Sequence, residues 1–335
     1  MKYDWKEIGQ EIQDWHGKLS DLSPMAFDTL YGTIRSMRWK GLAGMDMSME
    51  DALEKDWAGQ IKTITFQRLQ QLQSQPNFSF VSKEPERCGV GYGTFGWDYN
   101  PETIHEAVKQ GALIDTAEGY GFGRVETRLG EVLKDFPGAD ITTKVRRDHM
   151  SPQSVENAMF RSRKKLGVTP HYQLHYPHYK YPEAIIQLAD FRSQGLIKSV
   201  GMGNCSVDQI ESAQRLLSDY LGDPLHSVQV CFNLLDQRVK HTVIPYCQER
   251  SILVIAYSPL GQHHHKLMTP KLGRMAKKYK TAPATIALSW ILSFPGVMPI
   301  PQTNNIEHLK QNMEAKDLIL EEEDVEELTH VYELL

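Results

Sequence analysis

Side chains that could do chemistry cluster in the segment Leu113–Gly123, which has the sequence LIDTAEGYGFG. An apolar pair precedes Asp115, and Tyr120 follows five residues later among three glycines. A carboxylate and a phenol in one loop, directly after an apolar run, are groups that can take part in proton transfer. Turn formation alone would explain the glycines, but it does not explain the choice of an acid and a tyrosine.

Two further ionisable residues have the same placement, because Lys144 lies in the apolar run Ile141–Val145 and His175 in the run Tyr172–Tyr176. Each alone has an ordinary explanation, such as a snorkelling lysine or a hydrogen-bonded core histidine. Together, a lysine would lower the pKa of Tyr120, the carboxylate would keep that lysine charged, and a neutral histidine would orient a carbonyl. The set predicts a proton donor without metal ligands or an activated nucleophile, so a separate group must supply the electrons.

Eight short apolar runs alternate with helical patterns from residue 87 onward. The runs are Cys88–Tyr92, Leu113–Ala117, Ile141–Val145, Tyr172–Tyr176, Ser199–Gly203, Ser227–Phe232, Leu253–Tyr257 and Val297–Ile300. The helical patterns are Pro101–Gln110, Val125–Asp135, Ser151–Leu166, Tyr181–Gln194, Val207–Leu221, His241–Glu249, Pro270–Leu292 and Ile306–Ala315. Eight such repeats predict a parallel (β/α)8 TIM barrel, with an open doubly wound sheet as the alternative. The strand ends of a barrel share one mouth, where the four ionisable residues would meet.

Residues 1–86 do not follow this repeat. They hold four of the six tryptophans, and their apolar stripes predict a mostly helical N-terminal extension with a hairpin at its end. The stripes favour packing against the neighbouring domain over a cofactor or partner site. The barrel is expected to span residues 87–335.

The composition is that of a globular chain, with 335 residues, 41% hydrophobic content and a net charge of −5. This charge argues against a broad nucleic-acid surface.

The four cysteines have no metal-ligand spacing and predict reduced thiols in a cytoplasmic protein. Prolines interrupt the most apolar stretch, Ala282–Ile300, which predicts a buried helix and a buried strand instead of a membrane span. We expect a monomer or small homo-oligomer with no nucleic-acid or membrane partner.

From residue 87 to the C-terminus, the chain resembles the aldo-keto reductases. The segment IDTAEGYG resembles the family signature around its catalytic aspartate and tyrosine, TTKV resembles its lysine strand and LHYP its histidine strand. The resemblance implies that Tyr120 is the general acid, that Asp115 and Lys144 tune it, and that His175 orients the substrate. It also implies that NADPH or NADH supplies a hydride to a small aldehyde or ketone.

The resemblance further implies a set of cofactor contacts around the mouth. They are Gly93, Thr94, Asp115, Asn204, Gln229, Tyr257, Ser258, Leu260, Gly261, Gln302, Thr303, His308, Gln311 and Asn312. Asn204 would bind the nicotinamide carboxamide with Gln229 beside it, and Tyr257 would stack on the ring. The resemblance somewhat favours NADPH, but Gln302 and His308 stand where family members that select the 2′-phosphate commonly carry a lysine and an arginine. These two departures weaken the expected preference for NADPH over NADH.

The implied substrate contacts are aromatic. They are Phe95, Trp97, Phe122, Tyr176 and Tyr179. Such a lining favours an apolar or aromatic carbonyl compound.

Val125 and His171 depart from the family pattern, standing where a helix-capping serine and an aspartate are usual. The run His263–His265 predicts an exposed loop in preference to a metal site.

Two other functions are compatible with parts of the sequence. The barrel could hold NAD(P)H as a sensor or scaffold while the extension meets a partner protein. Lys144 could instead form a Schiff base, as in an aldolase, but a nearby carboxylate would keep its amine protonated. The complete set of four ionisable residues favours the reductase over both.

Overall fold

The structure is a computed structural model that describes residues 87–98, 100–261 and 269–333. The predicted N-terminal extension, the hairpin at its end and the three-histidine run lie outside the described residues. Within the described part, eight strands lie side by side in chain order, as one sheet.

The strands are short and all parallel. They are β1 Tyr92–Gly93, β2 Ile114–Asp115, β3 Ile141–Val145, β4 His171–Leu174, β5 Val200–Gly203, β6 Ser227–Cys231, β7 Leu253–Tyr257 and β8 Val297–Pro299. The register sets Asp115 opposite Thr142 and Gly203 opposite Gln229, which brings predicted site residues to one end of the sheet. The sequential order confirms the predicted (β/α)8 barrel, because a doubly wound sheet reverses its strand order.

Backbone hydrogen bonds between β1 and β8 close the barrel. Gly91 N donates to Pro299 O at 2.9 Å, and Gly93 N donates to Pro301 O at 3.0 Å. A Cβ atom on Gly91 would lie 2.8 Å from Ile300 Cγ2, and one on Gly93 would lie 2.9 Å from Ile300 O. Glycine is required at Gly93 because the backbone of Ile300 approaches too closely for a side chain, and a side chain at Gly91 would meet that of Ile300.

Ten helices follow or flank the strands in the described residues. They are α1 Pro101–Lys109, α2 Arg124–Leu133, α3 Pro152–Leu166, α4 Tyr181–Ser193, α5 Val207–Leu221, α6 Val243–Glu249, α7 Pro270–Lys278, α8 Pro283–Leu292, α9 Ile306–Glu314 and α10 Glu322–Glu333. Helices α3 and α5 begin with side-chain caps. Ser151 accepts a hydrogen bond from Ser154 N, and Ser206 and Gln209 exchange the two bonds of a capping box. These caps fix where α3 and α5 begin.

The prediction of one helix over Pro270–Leu292 is wrong, because the structure has two helices there. Lys280 lies between them with φ of 54°, in the left-handed region, and Pro283 begins α8. Proline has no N–H to continue a helix and disfavours helical backbone in the residue before it. The first helix therefore ends near Tyr279 and the second begins anew.

The core lies between the strands and the apolar faces of the helices. Ile104 of α1, Leu129 of α2 and Leu288 of α8 are fully buried and belong to one hydrophobic cluster. The apolar stretch Ala282–Ile300 forms α8 and β8, as predicted. In the parts of the chain that the structure describes, no helix is both long enough and apolar enough to cross a bilayer.

Candidate active site

A buried ion pair lies at the carboxyl ends of β2 and β3. Lys144 Nζ is 2.7 and 2.8 Å from the two carboxylate oxygens of Asp115, and both residues are at most 2% exposed. Nζ also donates to Thr116 O at 2.7 Å and to the Tyr120 hydroxyl at 3.4 Å. These contacts account for the three hydrogens of an ammonium group. The pair and the tyrosine predicted from the sequence are therefore brought together.

Asp115 is fixed from two other strands. Thr94, just after β1, donates to Asp115 O from both its backbone N and its hydroxyl, at 2.9 and 2.8 Å. Gln229 of β6 donates from Nε2 to Asp115 Oδ1 at 2.8 Å. Gln229, predicted as a nicotinamide contact, thus supports the carboxylate that holds the lysine.

The loop that presents Tyr120 has an unusual backbone. Gly121, Phe122 and Gly123 follow Tyr120 with φ values of 54°, 57° and 81°, all in the left-handed region. Phenylalanine adopts this region at an energetic cost, whereas glycine does so freely. The helix α2 begins directly after Gly123, which stands at the cap position without a side-chain cap, whereas Val125 is the second residue of the helix and not its cap. The glycines predicted to bend this loop therefore do so.

The structure contradicts the predicted direction of the Tyr120 pKa. Burial raises the pKa of Tyr120 well above its usual value, and the charge of Asp115 raises it further. The Lys144 ammonium does not offset this, because the Asp115 carboxylate neutralises it at 2.7 Å while the phenol oxygen is 3.4 Å away. Tyr120 is consequently protonated at neutral pH, as a proton donor must be.

His175 lies beside the tyrosine, just after β4. Its ring centroid is 5.7 Å from that of Tyr120 in an edge-to-face arrangement, and it stacks on Tyr176 at 5.1 Å. Burial, with a smaller contribution from the charge of Lys144, lowers the pKa of His175 to about 4. The imidazole is therefore neutral at pH 7 and can either donate or accept a hydrogen bond.

Asn204 is the centre of a polar group at the end of β5. Its backbone has φ of 56°, and its N donates to Gln229 O at 2.8 Å. Its side chain donates from Nδ2 to His175 O at 3.0 Å and accepts from the Tyr257 hydroxyl at 2.7 Å. A primary amide has a second N–H and a second lone pair, which match a carboxamide ligand. Asn204 is thus oriented by protein contacts that leave this pairing possible.

The turn after β7 carries three of the predicted pyrophosphate contacts. Gly261 N donates to Ser258 O at 2.9 Å, and Ser258 has φ of 49°. Asn233 Nδ2 also donates to Ser258 O, at 3.0 Å. Leu260 packs against the hydrophobic cluster behind the turn. The turn is therefore anchored at its first residue and at its apolar side chain.

Five predicted cofactor residues lie in or just before α9. They are Gln302, Thr303, His308, Gln311 and Asn312. Asn305 caps this helix by accepting from the backbone N of His308 at 3.2 Å, and Thr303 O accepts from the Tyr92 hydroxyl at 2.6 Å. His308 is exposed, whereas Asn312 is only 3% exposed. The helix N-terminus and neutral polar groups give this end of the mouth a mild preference for anions.

The aromatic residues predicted to contact substrate fall into two groups. Phe95, Phe122, Tyr176 and Tyr179 are between 44% and 94% exposed, and the Phe95 ring lies 5.2 Å from that of Tyr120. Trp97 is only 6% exposed and packs in the hydrophobic cluster. The exposed four are the residues placed to meet a ligand from solution.

Glu118 was not identified from the sequence, although it lies between Asp115 and Tyr120. Its side chain is 7% exposed, and Oε1 accepts from Arg146 N at 2.7 Å and contacts His149 Nδ1 at 2.9 Å. The only feature of the sequence that could have pointed to Glu118 was its position as an acid in the loop between Asp115 and Tyr120. Its partners depend on how β3 and α3 pack, which spacing does not show.

Comparisons with known proteins agree with the geometry. The model of the aldo/keto reductase family matches residues 87–333. An uncharacterised oxidoreductase of Mycobacterium bovis is 28% identical over 292 residues, covering 72% of this chain and 88% of that protein. The methylglyoxal reductase YeaE of Escherichia coli is 27% identical, covering 66% of this chain and 79% of that protein.

Solved structures have the same fold. A thermostable aldo-keto reductase in complex with the inhibitor epalrestat has a TM-score of 0.64 and 28% identity, covering 74% of this chain and 98% of that one. An aldo/keto reductase from Klebsiella pneumoniae in complex with NADP and acetate has a TM-score of 0.68 and 24% identity, covering 75% and 95%. The family match spans most of the chain, and so this protein belongs to the aldo/keto reductase family and is an oxidoreductase.

Proposed function

We propose that this protein reduces an aldehyde or ketone to an alcohol, or catalyses the reverse oxidation, with Tyr120 as the proton donor. The observation that carries the proposal is the contact of the Tyr120 hydroxyl with Lys144, whose ammonium is itself paired with Asp115 in a buried site. A phenol that stays protonated at neutral pH can donate to the oxygen of a carbonyl as negative charge develops there.

The other residues position and polarise the carbonyl. Neutral His175, beside the Tyr120 ring, can donate a hydrogen bond to the same oxygen. Lys144 donates a hydrogen bond to the phenol oxygen at 3.4 Å, which holds that oxygen in place during proton transfer. Asp115 keeps Lys144 charged in a buried environment.

The residues of the mouth fit a nicotinamide cofactor, which when bound supplies the hydride. The fit rests on Asn204, whose amide can pair with a carboxamide, and on the N-terminus of α9, whose helix dipole favours a phosphate beside the turn Ser258–Gly261. Gln302 and His308 lack the fixed positive charges that favour a 2′-phosphate, so we expect NADPH and NADH to be accepted within about tenfold of each other. The NADP complex of the Klebsiella pneumoniae relative supports the choice of cofactor class.

The substrate class follows from the exposed aromatic residues around Tyr120. Phe95 and Phe122 can cover a flat apolar group attached to the carbonyl. The methylglyoxal reductase among the relatives makes a small dicarbonyl the second class to test. A cytoplasmic location and a monomeric or small homo-oligomeric state stay predictions from the sequence.

The decisive test is Tyr120→Phe, which removes the hydroxyl and keeps the ring. We expect the reduction of aromatic aldehydes and methylglyoxal to fall at least about 100-fold, because general acid catalysis contributes that much. Binding of NADPH and NADH, measured by quenching of protein fluorescence, should be unchanged. Full turnover in this variant would refute the proton-donor assignment, and bound cofactor without turnover in the wild type would favour a sensor or scaffold.

A further inference from the structure

The loop that carries Tyr120, residues 116–123, is attached to the barrel before the tyrosine by Glu118. Glu118 N donates to Lys144 O at 3.2 Å, and its carboxylate accepts from Arg146 N at 2.7 Å. The same carboxylate lies 2.9 Å from His149 Nδ1 and 3.4 Å from Arg161 Nη2. The Glu118 side chain is 7% exposed, whereas those of His149 and Arg161 are 32% and 52% exposed. The carboxylate is therefore buried between partners that water reaches in part, and its bond to the backbone of Arg146 is the shortest of these contacts.

Lys165 attaches the same loop after the tyrosine. Its Nζ donates to Gly123 O at 3.1 Å and lies 3.6 Å from Glu126 Oε2. Glu126 is fully buried and accepts from the hydroxyl of Thr143, the residue before Lys144, at 2.7 Å. The second attachment therefore also ends at β3, beside the lysine that contacts Tyr120.

Both attachments use one helix. Arg161 and Lys165 are four residues apart on α3, which puts them on the same face. The helix is held close to the loop, because a Cβ atom on Gly130 of α2 would lie 1.8 Å from Lys165 O and one on Gly123 would lie 2.6 Å from Lys165 Nζ. The packing of α2 on α3 thus holds the ammonium group of Lys165 beside Gly123.

The loop needs such attachments because its own backbone preferences oppose its conformation. Phe122 has φ of 57°, and its side chain is 94% exposed, so no packing of that ring compensates for the strain. A non-glycine residue persists in this region only where the surroundings enforce it. The described contacts of Glu118 and Lys165 provide that enforcement on either side of Tyr120.

We propose that Glu118 and Lys165 are positioning residues for the reaction, which hold the Tyr120 hydroxyl at its place beside Lys144. This inference rests on the proposed role of Tyr120 as proton donor. The carboxylate of Glu118 contacts Arg146, just after β3, and Arg161 of α3. The ammonium of Lys165 contacts Gly123 and Glu126 of α2, so the effect of both residues on turnover acts through the loop. A misplacement of about 1 Å at a catalytic group can lower a rate about 100-fold.

The test compares Glu118→Ala, Glu118→Gln and Lys165→Met with Lys164→Met as the matched control. Lys164 is the exposed neighbour on the same helix, so its variant loses the same charge. We expect Glu118→Ala and Lys165→Met to lower kcat about 10- to 100-fold, while KM for the carbonyl and Kd for NADPH change less than about threefold. Lys164→Met should match the wild type. Glu118→Gln keeps an acceptor for Arg146 N and should lose less than Glu118→Ala.

A second readout distinguishes positioning from general loss of structure. Slow proton donation should make kcat of Glu118→Ala and Lys165→Met more sensitive to D2O than that of the wild type, with thermal unfolding still a single transition. Wild-type kcat in both variants, or an unchanged D2O effect, would overturn the inference and leave the proposed function intact. If Tyr120→Phe keeps full turnover, both proposals fail. If Lys165→Met does not fold, the Glu118 pair of variants decides the question.

Discussion

Two charged clusters lie at the opposite ends of the barrel strands, one after β2 and within β3 and the other at the starts of β3, β4 and β5, and they differ in burial. At the mouth, the side chains of Lys144 and Asp115 are 0% and 3% exposed. At the other end, Asp140 pairs with Lys198 at 2.8 Å and with His171 at 2.9 Å, and the Asp140 and Lys198 side chains are 51% and 37% exposed. Water screens the second cluster and not the first, so charge at the mouth acts more strongly on its neighbours. Both clusters contain an ion pair, so the property that distinguishes the cluster at the mouth from the one at the other end is its burial.

Removing the lysine of the mouth pair should have the largest effect. Lys144→Met leaves Asp115 buried without its cation, which we expect to destabilise the fold by about 3–5 kcal/mol and to abolish carbonyl reduction. Urea unfolding and single-turnover reduction would measure both. The double variant Lys144→Met, Asp115→Leu is the control, because it removes both charges and should recover much of the stability without activity. If the single variant were as stable as the wild type, the unpaired Asp115 carboxylate would cost nothing, and the comparison of the two clusters by burial would be wrong.

His175 should give the mouth a pH dependence of intermediate size. Burial lowers its pKa to about 4 in the folded state, against about 6.5 in the unfolded chain. Below pH 6.5 the unfolded chain therefore binds a proton that the folded protein resists, and stability falls as the pH drops towards 4. Above pH 6.5 this contribution disappears.

The variant His175→Gln checks that pH dependence. It cannot take up the proton, so its free energy of unfolding between pH 7 and pH 4.5 should fall less steeply than that of the wild type. The measurement is urea unfolding at a series of pH values, with His105→Gln as a control on α1. Parallel curves for the His175 variant and the wild type would contradict the assignment.

The exposed cluster should show the smallest effect. Asp140→Asn should cost about 1 kcal/mol or less at pH 7 and leave kcat unchanged, because both partners are partly exposed. A hydrogen bond from His171, followed by Lys198, lowers the pKa of Asp140 well below its usual range. Its stabilisation is thus present above pH of about 4 and is lost as the pH falls further.

Acid titration of stability tests this last expectation. The Asp140→Asn variant should lose less stability than the wild type between pH 4 and pH 2, and its difference from the wild type at pH 7 should shrink in 1 M salt. A loss at pH 7 as large as that of Lys144→Met would remove the distinction between the two ends of the barrel.

The sequence predicted the barrel because its strands are buried on both faces and evenly spaced by helical patterns. β3 and β7 match their predicted bounds, whereas β1 begins at Tyr92 and not at Cys88. The bonds of Gly91 and Gly93 to residues about 200 positions later in the chain also leave no local pattern in the sequence. The break before Pro283 did leave a local signal, the proline itself, and could have been predicted.

At the site, residue identity was predictable and environment was not. Asp115, Lys144 and His175 were predicted because each lies near the end of an apolar run, and parallel strands bring their ends together. The raised pKa of Tyr120 depends first on how deeply the phenol is buried and then on how near the Asp115 charge lies, and both require the folded structure. The roles of Glu118 and Lys165 depend on the packing of α2 against α3, which no spacing in the sequence encodes.

The close approach at Gly130 has a consequence for protein engineering. Because Lys165 O would lie 1.8 Å from a Cβ atom at that position, even alanine would force the two helices apart and move the loop they hold. Libraries aimed at new substrates can vary Phe95 and Tyr179, which are 74% and 78% exposed, with little penalty for folding. Diversity in this barrel is therefore best confined to its rim, with the glycine at the helix contact kept invariant.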